Sequence, residues 1–232
     1  MKNRVLVITG TTDINTDPSL GEPLFKDVFD TTFSSKTNYV KMHNYDLLSL
    51  NGFGKDFFGR YRENEIGFLR IVKVFNMIEE YDYVMWIDAD AMITNPSMPI
   101  ENFEINESVF YCSYDWAGKY TLNTGNFILK KTVNTKLFID AFYSISKQLN
   151  MPEEQATINF MYFNTEFKSM IKVLDHSFLN AVPSADIVKK EIWNTKPKPP
   201  FPWKENDFLV HATGLPNSER IRIFNTYFNQ YL

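Results

Sequence analysis

Apolar residues fall in short, nearly unbroken blocks that alternate with longer stretches of spaced apolar and charged positions. Residues 4–9 form an apolar block that meets Gly10-Thr11-Thr12, the pattern of a buried strand opening into a ligand-facing loop. Residues 22–33 carry spaced apolar positions with charges between them and predict a helix, and 39–42 predict the next strand. From 65 to 81, Ile66, Leu69, Val72, Phe75 and Ile78 trace one face of a second helix, which leads directly into the apolar block 83–87. Strands follow at 108–114 and 125–130, helices at 135–149 and 153–164, and a late strand at 207–211. This alternation predicts an α/β sandwich with a mixed, mostly parallel central sheet. Residues 43–65, with Gly52, Gly54 and Gly59 among Phe53, Phe57, Phe58 and Tyr61, are too long for a simple connection. They read as an active-site lid or as an irregular, permanently packed loop.

Composition narrows the class. A chain of 232 residues with 44% hydrophobic positions can build a substantial core, and no linker or repeat divides it, so one domain spanning 1–232 is expected. The net charge of −4 and the lack of a Lys/Arg-rich run argue against a nucleic-acid partner. The amino-terminal apolar run is too short for a signal peptide or a membrane-spanning helix. Cys112 is the single cysteine, which precludes an intrachain disulfide. Together these features point to the cytoplasm. The 21 phenylalanines and 12 tyrosines are expected mostly in the core.

Candidate chemistry concentrates where apolar blocks end. In the segment Trp86-Ile-Asp88-Ala-Asp90 an apolar strand runs into two carboxylates one residue apart, which period-two geometry directs to the same side. Such a pair suits Mn²⁺ or Mg²⁺, whose remaining coordination positions can take the oxygens of a diphosphate, although it also serves as a turn cap. His211, at the end of the last apolar block, is a further ligand or a structural histidine, and Gly214 beyond it permits close backbone approach to a phosphate. Asn123-Thr-Gly125-Asn126 combines an amide with room for a sugar ring, or is a turn before a strand. Glu153-Glu154-Gln155 after a proline supplies catalytic acids or simply opens a helix. Asp115-Trp116 offers an acid beside a stacking face, and Arg70 and Lys73 stand on the helix before the Asp88 strand.

Taken together, the four segments 86–90, 122–127, 151–155 and 207–214 resemble the GT-A type glycosyltransferases, most closely glycosyltransferase family 34, over about residues 66–215. The resemblance implies metal ligands at Asp88, Asp90 and His211. It implies donor contacts from Asn123, Gly125, Gly214 and Arg70, with Asp88 shared and the loop of Thr9, Gly10 and Thr11 facing the nucleotide. Glu154, Asp115, Glu153 and Gln155 stand where the family carries its catalytic and sugar-contacting groups, with glutamate where relatives often have aspartate. The activity implied is metal-dependent, retaining transfer of a sugar from a nucleoside diphosphate donor, by preference a UDP-hexose or UDP-pentose, to a saccharide acceptor. The family's amino-terminal anchor is not expected ahead of this first strand. Two other readings stand beside it: a non-catalytic sugar-nucleotide or glycan-binding module of the same fold, and a phosphohydrolase of the haloacid dehalogenase type. Met92 and the late position of Asp-Ala-Asp disfavour the phosphohydrolase.

Overall fold

The computed structural model describes residues 3–11, 25–51, 63–103, 105–115, 118–150, 153–193 and 201–231. In chain order the strands are β1 (Val5–Thr11), β2 (Asp46–Asn51), β3 (Tyr83–Ile87), β4 (Ala91–Ile93), β5 (Phe110–Asp115), β6 (Gly118–Lys130), β7 (Ile171–Leu174) and β8 (Leu209–His211). The helices are α1 (Phe25–His43), α2 (Glu63–Met77), α3 (Thr135–Leu149), α4 (Glu154–Asn164), α5 (His176–Leu179), α6 (Lys190–Trp193) and α7 (Asn217–Tyr227). The central sheet has the order β2-β1-β3-β6-β5-β7, and β4 pairs with β8 in a separate two-stranded ribbon. β1 is parallel to β2 and β3, and β5 is parallel to β7, while β6 lies antiparallel between β3 and β5. The sheet is therefore mixed and mostly parallel, as the alternation of blocks predicts.

Both faces of the sheet are covered, which is why its strands read as continuous apolar runs. Leu6, Ile8, Val84 and Trp86 point to one face, against Ile71, Val74 and Phe75 of α2, Phe138 and Phe142 of α3, and Ile158 and Met161 of α4. Their neighbours Val5, Val7, Tyr83, Met85 and Ile87 point to the other, where they meet Tyr39 and Val40 of α1, Leu179, Phe208 and Leu209. Trp86, Tyr39, Tyr111 and most of the core phenylalanines are fully buried, so the aromatic content is largely core.

The carboxyl half of α1 is a correction. Residues 39–42 are helical, not a strand: α1 continues to His43, and its buried positions Val28, Phe29, Thr32, Ser35, Lys36, Tyr39 and Val40 keep one helical spacing throughout. Three of those positions are polar, which hides the stripe from a hydrophobicity reading and leaves Tyr39-Val40 looking like an isolated apolar pair. Asn44 ends the helix in a left-handed conformation (φ 55°), with Tyr45 N donating to Val40 O at 2.9 Å.

A second correction follows from the first. The strand expected at 39–42 lies instead at β2, inside the segment 43–65 that reads as irregular from its glycines, and α2 begins at Glu63. The remainder of the lid reading, including Phe53, Phe57, Phe58 and Tyr61, lies outside the described residues. β6 starts at Gly118, earlier than expected, while β4, β7 and α7 give too short or too polar a pattern to announce themselves. Among the described residues, no helix is long and apolar enough to cross a membrane.

Candidate active site

The site forms at one end of the sheet, where the interior strands β1, β3 and β6 lie side by side. Thr9 pairs with Ile87 in the parallel β1–β3 ladder, so Gly10 and Thr11 emerge beside Asp88. On the opposite side Ile87 pairs with Asn126, and Asp88 N donates to Gly125 O and to the Asn126 side chain, each at 3.1 Å. Ala91 pairs with His211 across the β4–β8 ribbon, which brings the late histidine over the Asp-Ala-Asp turn. Donor atoms of Asp88, Asp90 and His211 consequently lie within 4.8 Å of one another.

Glycine at 125 makes this approach possible. A Cβ there would stand 2.7 Å from Asp88 Oδ2 and 2.7 Å from His211 Cε1, closer than side chains tolerate. Its N–H donates to Asn123 Oδ1 at 2.9 Å, so the Asn123 side chain is turned back onto its own strand. Gly10 serves packing, since a Cβ would lie 2.9 Å from Leu50 O. Gly214, at φ 68°, adopts the left-handed backbone that favours glycine.

The electrostatics around the two aspartates differ. Asp90 is 4% exposed, with its Oδ2 at 3.1 Å from Arg220 Nη2 and its Oδ1 at 3.3 Å from His211 Nε2. Burial works against its charge, but Arg220 and His211 outweigh burial and hold its carboxyl well below the usual carboxylate range. Asp88 accepts from Trp86 Nε1 at 2.7 Å and pairs with Arg70. The Arg70 guanidinium bridges Asp88 and Glu154, and these two acids overcome burial to raise its pKa.

His211 Nδ1 lies 2.8 Å from Asn180 Oδ1, and the Asn180 amide is itself fixed by donating to Tyr114 O at 2.8 Å. Nδ1 therefore carries a hydrogen, and Nε2 faces Asp90. Two acceptors at 3.3 Å need a cation between them, either a proton on Nε2 or a metal ion. The donor set of two carboxylates and one imidazole fits a divalent metal ion.

Residues 1–109, which include Asp88 and Asp90, match the galactosyl transferase GMA12/MNN10 family. The chain is 22% identical over 157 residues to galactomannan galactosyltransferase 1 of Cyamopsis tetragonoloba, covering 63% of this chain but only 34% of that protein. Among solved structures, a glycosyltransferase involved in glycosylation of the PBCV-1 major capsid superposes with a TM-score of 0.62 at 16% identity, covering 96% of this chain and 98% of that one. The fold is that of the GT-A glycosyltransferases, and the chain resembles family 34. The galactosyltransferase LgtC, in complex with donor and acceptor sugar analogues, gives a TM-score of 0.55 at 11% identity over 90% of this chain and 87% of that one. Mouse xyloside xylosyltransferase 1 gives 0.55 at 11% over 91% and 98%. This fold sets aside the haloacid dehalogenase alternative.

The expected catalytic residues are distributed unevenly. Glu154 opens α4 but is only 2% exposed, and its carboxylate is held by Arg70 and by Thr124 Oγ1 at 3.2 Å. Gln155 accepts from Thr124 N at 3.2 Å and donates to Asp115 Oδ2 at 3.4 Å, which joins the ends of β5, β6 and α4. Glu153 is exposed at the N-cap of α4. Trp116 lies outside the described residues. Of the two cations expected on α2, Arg70 reaches Asp88. His43 binds Pro96 O through Nε2 at 2.7 Å and His176 stacks on Phe201 at 4.2 Å, consistent with structural roles.

Several contributors are not apparent in the motif reading. Asn159, on α4, accepts from Leu122 N at 2.7 Å and donates to Leu122 O at 3.1 Å, fastening the helix that carries Glu154 and Gln155 to β6. Arg220 and Asn180 orient Asp90 and His211. Lys36, on α1 beneath the Asp88-Ala89 turn, is fully buried, and burial lowers its pKa to about 7 against the pull of Asp90 and Asp88. The only sequence trace of this last contact is the polar i, i+3, i+4 set of Thr32, Ser35 and Lys36 on a helix face that otherwise reads as core.

Proposed function

We propose that this chain, as one domain, is a metal-dependent retaining glycosyltransferase that moves a hexose or pentose from a UDP-sugar to a saccharide hydroxyl. The observation that carries the reading is the convergence of Asp88, Asp90 and His211 within 4.8 Å, with His211 Nε2 at 3.3 Å from Asp90 Oδ1. In this reading Asp88, Asp90 and His211 hold Mn²⁺ or Mg²⁺. The bound ion would supply Lewis-acid neutralisation of the diphosphate leaving group.

The chain's own groups perform the remaining work. Arg70 and Arg220 bring positive charge beside the diphosphate position, and Gly125 and Gly214 let the backbone approach it. Thr9, Gly10 and Thr11, at the carboxyl end of β1, lie on the nucleotide side, where open α/β sheets bind their ligands. Asp115 and Gln155 hydrogen-bond sugar hydroxyls, and Asn123, whose Oδ1 accepts from Gly125 N, donates to them through Nδ2. Glu154, clamped by Arg70, acts through its charge rather than by contact, helping with Glu153 beside it to stabilise an oxocarbenium-like transition state.

A panel of UDP-galactose, UDP-xylose and UDP-glucose tests the proposal by thermal stabilisation with and without Mn²⁺, because a ligand of the folded state raises stability by mass action. The expected result is stabilisation by one donor that requires the metal, followed by product formation with saccharide acceptors. In Asp90→Asn, turnover is expected to fall at least about a hundredfold, equivalent to roughly 2.7 kcal/mol of barrier. Donor binding without hydrolysis or transfer would identify a binding module instead. Stabilisation independent of metal would refute the assigned metal ligands.

A further inference from the structure

We propose that Lys36 is a positioning residue of the metal site: it holds the main chain of the Asp88-Ala89-Asp90 turn from beneath, so that the two carboxylates converge with His211. This inference rests on the metal-binding reading above. It starts from an unusual burial, since Lys36 is 0% exposed and its Nζ donates to Asp88 O at 2.9 Å, Thr32 Oγ1 at 2.9 Å and Ala89 O at 3.4 Å. These acceptors match the three hydrogens of an ammonium, and none is a carboxylate.

The turn is tied to α1 at more than one point. Thr32 Oγ1 donates to Ala89 O at 2.6 Å, and Ser35 Oγ accepts from Ile93 N at 3.2 Å just after the turn. Asp88 O also accepts from Ala91 N at 3.2 Å, which closes the turn itself. The carbonyls of Asp88 and Ala89 belong to the two peptide planes that flank Ala89. Their orientation sets the directions in which the aspartate side chains leave the backbone, and metal–ligand distances keep within about 0.2 Å of their standard values.

The charge of Lys36 gives the inference a distinctive sign. A cation beneath the site repels a divalent ion, so deleting it acts by Coulomb's law to tighten metal binding. Deleting the geometric restraint has the opposite effect. If Lys36 were only a fastener between α1 and the sheet, its loss would lower stability and leave the affinity of the folded protein unchanged.

The test is Mn²⁺ alone, titrated into the full chain and followed by the electron paramagnetic resonance signal of the free ion, with far-UV circular dichroism and thermal melting in parallel. In Lys36→Met, which fills similar space without hydrogen bonds, the dissociation constant is expected to rise at least about tenfold, roughly 1.4 kcal/mol, while the fold is retained. Thr32→Val keeps the lysine but removes the hydroxyl on Ala89 O, and is expected to weaken Mn²⁺ by a smaller factor. Lys41→Met, on the exposed side of the same helix, is expected to leave it unchanged. Unchanged or tighter Mn²⁺ binding in folded Lys36→Met overturns the inference. If that variant does not fold, Thr32→Val decides alone: weaker binding supports the inference and unchanged binding overturns it. Absence of Mn²⁺ uptake by the wild type is a different outcome, which overturns the metal reading itself and this inference with it.

Discussion

Gly67 of α2 packs directly against the carboxylate of Glu154: a Cβ at position 67 would lie 2.5 Å from Glu154 Cδ and 2.6 Å from its Oε1. The absent side chain is what admits a glutamate between α2 and β6, where Arg70 and Thr124 hold it. Gly67→Ala gains up to about 1 kcal/mol of helix propensity but displaces a buried ion pair, whose disruption costs about 3–5 kcal/mol. The expected net loss is about 2–4 kcal/mol, read as a melting temperature lower by about 4–16 °C. A variant as stable as the wild type would show that Glu154 has room to move.

Arg70 serves two acids at once, which makes its removal more costly than the loss of a surface pair. Arg70→Met leaves Asp88 and Glu154 without their shared counter-charge and is expected to destabilise by about 3–5 kcal/mol. Adding Glu154→Gln should restore part of that loss, giving a coupling energy of at least about 0.5 kcal/mol in a urea-denaturation cycle. Strictly additive single and double variants would argue against the pairing.

Acid stability should depend on Asp90. Its folded pKa is lowered, with Arg220 and His211 prevailing over burial. The unfolded chain therefore takes up this proton at higher pH than the folded one. The contribution is present above the unfolded value, near pH 4, and is lost as pH falls through the lower folded value. Urea unfolding in the presence of a chelator, from pH 5.5 downward, is expected to show a steeper loss for the wild type than for Arg220→Met. Parallel curves would contradict the assignment.

Asn180 fixes the tautomer of His211 and touches neither aspartate in the ligand set. Asn180→Ala removes the acceptor of Nδ1–H, and the expected consequence is a Mn²⁺ affinity about 10–100-fold weaker with little change in melting temperature. Calorimetric titration of Mn²⁺ distinguishes this from a purely structural amide, which would lower stability and leave affinity intact.

Cys112 is buried in β5, and burial raises its thiol pKa far above the ordinary value. It should resist Ellman's reagent in the native protein and react as a single thiol per chain in denaturant. Rapid labelling of the native protein would mean that β5 opens readily.

The strand-end aspartates, the late histidine and the alternation of layers were legible because each is a local property. An apolar run that stops at Asp88 identifies a strand terminus wherever the strand lies, and the helices α3 and α4 carry regular apolar spacing within their own residues. The parallel sheet, buried on both faces, writes itself into the chain as unbroken apolar blocks. Local pattern misled where polar residues were buried. Thr32, Ser35 and Lys36 interrupt the stripe of α1, so the hydrophobicity pattern ends the helix early and hides β2 in a glycine-rich segment.

What only the tertiary structure decided is which charges face one another. Lys36 lies 52 positions before Asp88, Glu154 84 positions after Arg70, and His211 31 positions after Asn180, so no local period relates them. Their contacts follow from how α1, α2 and the β8 edge cross one end of the sheet, and burial there gives each contact its strength. The sequence by itself determined that carboxylates end an apolar strand. The packing around them determined that Glu154 is clamped rather than free, that Asp90 is held ionised, and that a buried lysine supports the turn, because the energy of a charge depends on what has replaced the water around it.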